Sequence, residues 1–165
     1  MACNPMKENT NIYFRCRKDA ANYNEKLYSR ENASELLGIS VSTLSDYELG
    51  LTKIIPPDMV VKMADLYNAP QLCANYCKNE CPIGNRLNIA SDIQPLAMVA
   101  LKLLKCLDGN DIEGVKKQII DIAEDGRIDD SEQSTLAEIE EYLGKLARAI
   151  SALSLICEKI KGASE

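Results

Sequence analysis

The chain has 165 residues, a net charge of −6 and no histidine. That length allows one to two small domains. The missing histidine excludes the Cys-His and Ser-His arrangements of nucleophilic catalysis. No phosphate-cradling glycine loop is present either, so no enzyme, catalytic residue or cofactor is expected.

One Phe and no Trp leave Leu, Ile, Val, Ala and Met to build the core, which favours an all-α fold. The N-terminal MACNPMKENTNIYFRCRK lacks an apolar signal segment, and the run PLAMVALKLL is broken by Lys102 and too short to span a bilayer. The expectation is a cytoplasmic chain with reduced cysteines and no membrane partner. The charge is uneven. Asn11 to Pro57 holds six basic and six acidic residues, whereas Asn88 to Glu165 holds nine basic and fifteen acidic.

The first half reads as short helices. A basic helix runs from Ile12 to about Ala21. Ser29 caps a second helix that reaches Leu37 and stops at Gly38. Ser40 caps a third helix, Val41 to Leu49, which Gly50 closes, and PPDMVVKMADLYN starts a fourth after two prolines. Ala33, Leu36, Leu37, Ile39, Leu44, Tyr47, Val60, Met63 and Leu66 space as buried faces, leaving polar residues on the outside of Val41–Leu49.

The stretch GISVSTLSDYELG resembles the core of the XRE family, the lambda-repressor/Cro-like regulators. Gly38-Ile39-Ser40 corresponds to the turn between the two helices, Leu44 to the buried position of the recognition helix, and Glu48 with Gly50 to its close. Ser34 and Glu35 stand where the family has Ala-Glu, and KMADLYNAP resembles its fourth helix. The likeness covers Tyr28 to Pro70, with Ile12 to Lys18 as a first helix. AANYNEKLYS and TKIIPP make two joins longer than the family's, and Arg30 stands where Gln is frequent.

The resemblance implies an N-terminal DNA-binding domain whose recognition helix presents Ser40, Val41, Ser42, Thr43, Ser45 and Asp46 to the major groove of double-stranded DNA. Hydroxyls bond several base edges, Val41 suits a thymine methyl, and Asp46 suits a cytosine amino group. No arginine–guanine fork is offered, so discrimination is modest or carried partly by DNA shape. Arg30, Arg15, Arg17 and Lys18 are the expected phosphate partners, with a shallow salt dependence and useful binding only as a dimer.

Cys73, Cys77 and Cys81 recur every fourth residue, which keeps three thiols near one helix face. They are candidates for a metal or redox site. Three thiolates leave a fourth ligand unnamed, unless Cys3 or Cys16 supplies it, and the spacing is not that of a zinc knuckle. Packing as small hydrophobes is the preferred reading, with no metal assigned.

The acidic half shows three helical rhythms: Ile93 to Leu107, Ile112 to Ile122, and Leu136 to Ile160. In the last, Leu136, Ile139, Leu143, Leu146, Ile150, Leu153, Cys157 and Ile160 alternate three and four residues apart, a heptad stripe. Ala147, Ala149, Ser154 and Ile156 beside it are small or apolar, so a helical bundle or hairpin with a wide apolar face is expected, part of it shared with a second chain. Asp121, Asp125, Gly126, Ile128, Asp129 and Glu132 fit positions of a calcium loop, but Ala123 removes a ligand, and a hairpin turn is the simpler reading.

The chain therefore divides into a helix-turn-helix domain at 11–72, a cysteine-containing connector at 73–91 and an acidic dimerisation or regulatory domain at 92–162. The expected function is sequence-specific transcriptional regulation by a homodimer. The alternatives are a protein-interaction module using the acidic half and a cysteine-based sensor.

Overall fold

The computed structural model describes residues 9–124 and 132–162. Among these residues the chain forms eight α-helices and no strand: α1 (Ile12–Ala20), α2 (Arg30–Leu37), α3 (Val41–Leu49), α4 (Pro57–Leu66), α5 (Gln71–Asn79), α6 (Leu96–Cys106), α7 (Gly109–Ala123) and α8 (Gln133–Gly162). No helix among them is long and apolar enough to cross a membrane.

Local chemistry places the first helices where the caps predict. The Asn11 side chain accepts from the Tyr13 amide at 2.8 Å at the start of α1, and Ser29 Oγ accepts from the Asn32 amide at 3.2 Å at the start of α2. Gly38 and Gly50 take φ of 71° and 69°, a left-handed turn that glycine enters without Cβ strain. Pro57 opens α4, where its missing N–H removes no helix bond.

α1 to α5 enclose one core, with Leu27, Ala33, Leu44, Val60, Met63 and Leu72 at its centre. Both long joins anchor there: Leu27 from AANYNEKLYS and Ile55 from TKIIPP are buried. Two features differ from the sequence reading. Leu36 is 48% exposed, because α2 turns Ala33 and Leu37 inward instead. The cysteine-containing segment, expected to be a connector, begins within α5, whose Leu72 is buried in the first core with Cys73 and Tyr76 against it.

The second half is packed more thinly. α8 lies on α6 and α7, and its small core joins Val99, Ala152 and Ile156, with Ala90 and Leu153 beside them. No residue of α7 is buried. The linking segment 80–95 lies along α8, where the Ala90 amide donates to Ser151 Oγ at 3.1 Å and Arg148 Nη1 to Asn88 Oδ1 at 2.7 Å. The C-terminal turn of α8 meets the first half at Asn68, whose carbonyl accepts from Lys159 Nζ. Asn68 has φ 46°, a conformation Asn tolerates better than most residues. Asp125, Gly126, Ile128 and Asp129 of the candidate calcium loop lie outside the described residues.

The centre of the first half is ionic. Glu48 of α3 is 0% exposed and Arg17 of α1 is 1% exposed. Arg17 Nε donates to Glu48 Oε1 at 2.5 Å and its Nη2 to Oε2 at 3.0 Å, a two-point pairing. Arg30 Nε of α2 donates to Oε2 at 2.6 Å. The remaining side of Arg17 is met by the join: Nη1 donates to the carbonyls of Leu27 at 2.8 Å and Tyr28 at 2.9 Å.

Removing one member strands a buried charge, so Glu48→Ala is expected to cost about 3–5 kcal/mol in urea denaturation. Arg30 has a third of its side chain in solvent, and Arg30→Gln is expected to cost no more than about 1 kcal/mol in the same measurement.

Candidate nucleic-acid interface

α2, the Gly38-Ile39-Ser40 turn and α3 form the pair on which an interface can be built. α3 is secured at both ends. Ser40 Oγ accepts from the Thr43 amide at 3.0 Å. At the other end, Asn9 Nδ2 donates to the Glu48 carbonyl at 2.9 Å and Asn11 Nδ2 to the Tyr47 carbonyl at 3.2 Å. The segment before α1 thus satisfies carbonyls that a helix C-terminus leaves free. Leu44, Tyr47 and Glu48 hold the inner face of α3 in the core.

The outer face carries the residues expected to meet DNA. Ser40, Val41, Ser42 and Asp46 are exposed, and Thr43 and Ser45 are half-buried. Ser40 Oγ lies 2.8 Å from both Ser42 Oγ and Thr43 Oγ1, so three hydroxyls cluster at the positive end of the helix. Each can rotate to offer either a donor or an acceptor.

α3 carries no basic residue; the nearby cations come from α1 and α2. Arg30 stands at the start of α2, partly exposed. Arg15 is exposed. Lys18 donates to the Tyr28 carbonyl at 2.9 Å and sits 4.0 Å from the centre of the Tyr28 ring, and desolvation together with neighbouring Arg17 holds its pKa below the usual lysine value.

Arg17 departs from the phosphate-contact expectation. It faces inward with Tyr13, Cys16 and Ala20, which follow the i, i+3, i+4, i+7 rhythm of one helix face. Its guanidinium is engaged by Glu48 and two carbonyls, so it braces the fold instead of reaching a phosphate.

Glu48, first read only as part of a helix close, is the residue whose role was missed. The signal was available: an acid four residues after Leu44 and a base four after Tyr13 each fall on an apolar face, and opposite charges on two buried faces imply a pair.

Among the described residues no group of three His, Cys, Asp or Glu side chains could hold a metal ion. Cys81 Sγ accepts from the Gly84 amide at 3.4 Å. Burial raises the Cys73 thiol pKa, which disfavours the reactive thiolate. Burial and Asp19 push Cys16 up to about 11.

Residues 21–70 match the helix-turn-helix family model. This part of the chain is a helix-turn-helix domain. The match begins within the long join and ends beside α5, so it covers the capped α2–α3 pair and α4. No curated protein and no solved structure matches the chain.

Loss of the α3 cap in Ser40→Ala is expected to lower the stability of the helix-turn-helix domain by about 1 kcal/mol in thermal denaturation. In the native chain at pH 8, iodoacetamide should modify exposed Cys157 well before buried Cys16, as read by peptide mass spectrometry.

Proposed function

We propose that the chain is a sequence-specific DNA-binding transcriptional regulator that works as a homodimer, with α3 in the major groove. The observation that carries this reading is the helix-turn-helix match over residues 21–70, on a pair of helices whose second member is capped at both ends and exposes a polar face. Base edges are read by Ser42, Thr43, Ser45 and Asp46 through hydrogen bonds and by Val41 through apolar contact. Arg30, Arg15 and Lys18 meet phosphates, with Ser40 at the end of the helix. Arg17 is left out of this interface.

Few cations and no arginine on α3 mean that one domain alone binds weakly, and a second copy supplies the missing affinity. Support for pairing lies in the acidic half. Leu101, Leu104, Ile120, Leu143 and Ile150 are all exposed on α6, α7 and α8. The heptad stripe of α8 is divided: Ile139 is buried within the chain, whereas Leu143 and Ile150 stand outside. Intramolecular packing uses Ala149, Ala152 and Ile156 instead, leaving an apolar strip for an equivalent helix on a symmetric partner.

Selection of random duplexes at low salt by the full chain should enrich a two-fold symmetric site, and failure to enrich any sequence refutes the DNA-reading role. Asp46→Ala should alter the bases recovered. Arg15→Gln should weaken all sites alike and reduce the logarithmic salt slope by about 1.

Light scattering at micromolar concentration is expected to give twice the 18.2 kDa of one chain, and Ile150→Glu to halve that mass without loss of helical circular dichroism. A single-chain mass for the unaltered protein removes the homodimer and favours a different protein as the occupant of this face.

A further inference from the structure

The acidic half contains a basic cleft. A cavity of about 520 Å³ opens between the end of α5, the segment before α6, and the facing sides of α6 and α8. Lys78, Lys102, Lys105, Lys145 and Arg148 line it, opposed by Asp92 and Asp111. Four of the nine basic residues that follow Asn88 in the sequence are in this cleft, against two of the fifteen acidic ones. The local balance is therefore opposite in sign to that of the half that builds it.

The cations are held mostly by neutral groups. Lys78 Nζ donates to Ser91 Oγ at 3.3 Å, Lys102 Nζ to Gln94 Oε1 at 2.7 Å, and Arg148 Nη1 to Asn88 Oδ1 at 2.7 Å. Lys145 pairs with Glu141 at 2.7 Å, but that pair is exposed on both sides and weakly held. Such hydrogen bonds point the cationic heads without cancelling their charge. Gathering like charges around a concavity raises the electrostatic energy of the empty cleft and draws a counter-ion into it. The floor differs in chemistry: buried Val99, Ala149 and Ala152 line its depth. A cavity of this size with apolar walls and a few placed polar groups suits a small organic molecule.

We propose that this cleft binds a small organic anion carrying two or more negative charges and an apolar body, with Lys102, Lys105 and Arg148 meeting the anionic groups and Val99 and Ala152 the body. Phosphate and carboxylate groups share the required chemistry. Lys78, at one edge of the cleft, belongs to α5, which packs in the core of the first half, so the cleft is bounded by both halves.

Calorimetry on the full chain in low salt, with phenyl phosphate, phthalate, pyrophosphate and phenol as probes, tests the proposal and needs no DNA. Phenyl phosphate or phthalate is expected to bind one per chain with a Kd below about 100 μM, weakening as salt rises, and because the two share an apolar ring, which binds more tightly separates phosphate from carboxylate recognition. Lys105→Glu and, separately, Arg148→Gln should each weaken binding at least tenfold with circular dichroism and thermal midpoint preserved. The proposal is overturned if neither phenyl phosphate nor phthalate binds, if both substitutions leave affinity unchanged, or if phenol or pyrophosphate binds as well as the tighter of the two dianions. A failure here leaves duplex selection by the same protein unaffected, so the two results are independent.

Discussion

The first half of this protein depends on one buried carboxylate. Glu48 sits on the inner face of α3 and is met by a guanidinium from α1 and another from α2. A buried anion is tolerated only when its hydrogen bonds are supplied from defined directions. Those directions fix how α3 stands relative to its neighbours. An apolar contact at the same point would accept small slides and rotations, whereas a two-point Arg–Glu pairing does not. Since the opposite side of α3 carries an outward polar face, an interaction inside the protein sets the direction in which that face points. The long join between α1 and α2 belongs to the same arrangement, because the Leu27 and Tyr28 carbonyls accept the donors that Glu48 leaves over.

The two halves solve the burial problem differently. α1 to α5 close around a continuous core with most large apolar side chains inside. The acidic half has a core built around one fully buried valine and the small alanine face of α8. Many of its leucines and isoleucines remain in solvent, and α7 buries none of its side chains. Within one chain such a surface is unfavourable to leave wet. The first half thus has an extensive core of its own, and the second leaves more of its apolar surface uncovered. Its charge is divided too: fifteen acids against nine bases follow Asn88 in the sequence, yet four of those bases line one cleft.

Much of the first half was legible in the sequence. Ser29, Gly38, Ser40 and Gly50 set the bounds of α2 and α3 through contacts within a few residues of each cap, so local pattern sufficed. The outward position of the polar residues of α3 was legible for the same reason, since helical periodicity puts them outside once Leu44 and Tyr47 are inside. Leu36 falls within the apolar spacing of α2 but lies at the edge of its buried face, and Arg17 has the charge of a phosphate partner but the position of a core residue. An exposed leucine and a buried arginine are decided by the faces of neighbouring helices, and the burial of Arg17 depends on an acid 31 positions away.

In the acidic half the existence of three helices was plain from their rhythm, yet the use of the α8 stripe was not. A heptad pattern shows that a helix has an apolar side and says nothing of which chain will cover it. The sequence by itself determined the helical class, the caps and turns of the DNA-reading pair, and the segregation of negative charge into the second half. These follow from interactions between residues close in the chain or from totals. Tertiary structure decided the pairing of Arg17 and Arg30 with Glu48, the inclusion of α5 in the first core, the division of the α8 stripe and the meeting of five cations around one cleft. Each of these joins residues far apart in sequence, and only the packing of whole helices brings them together.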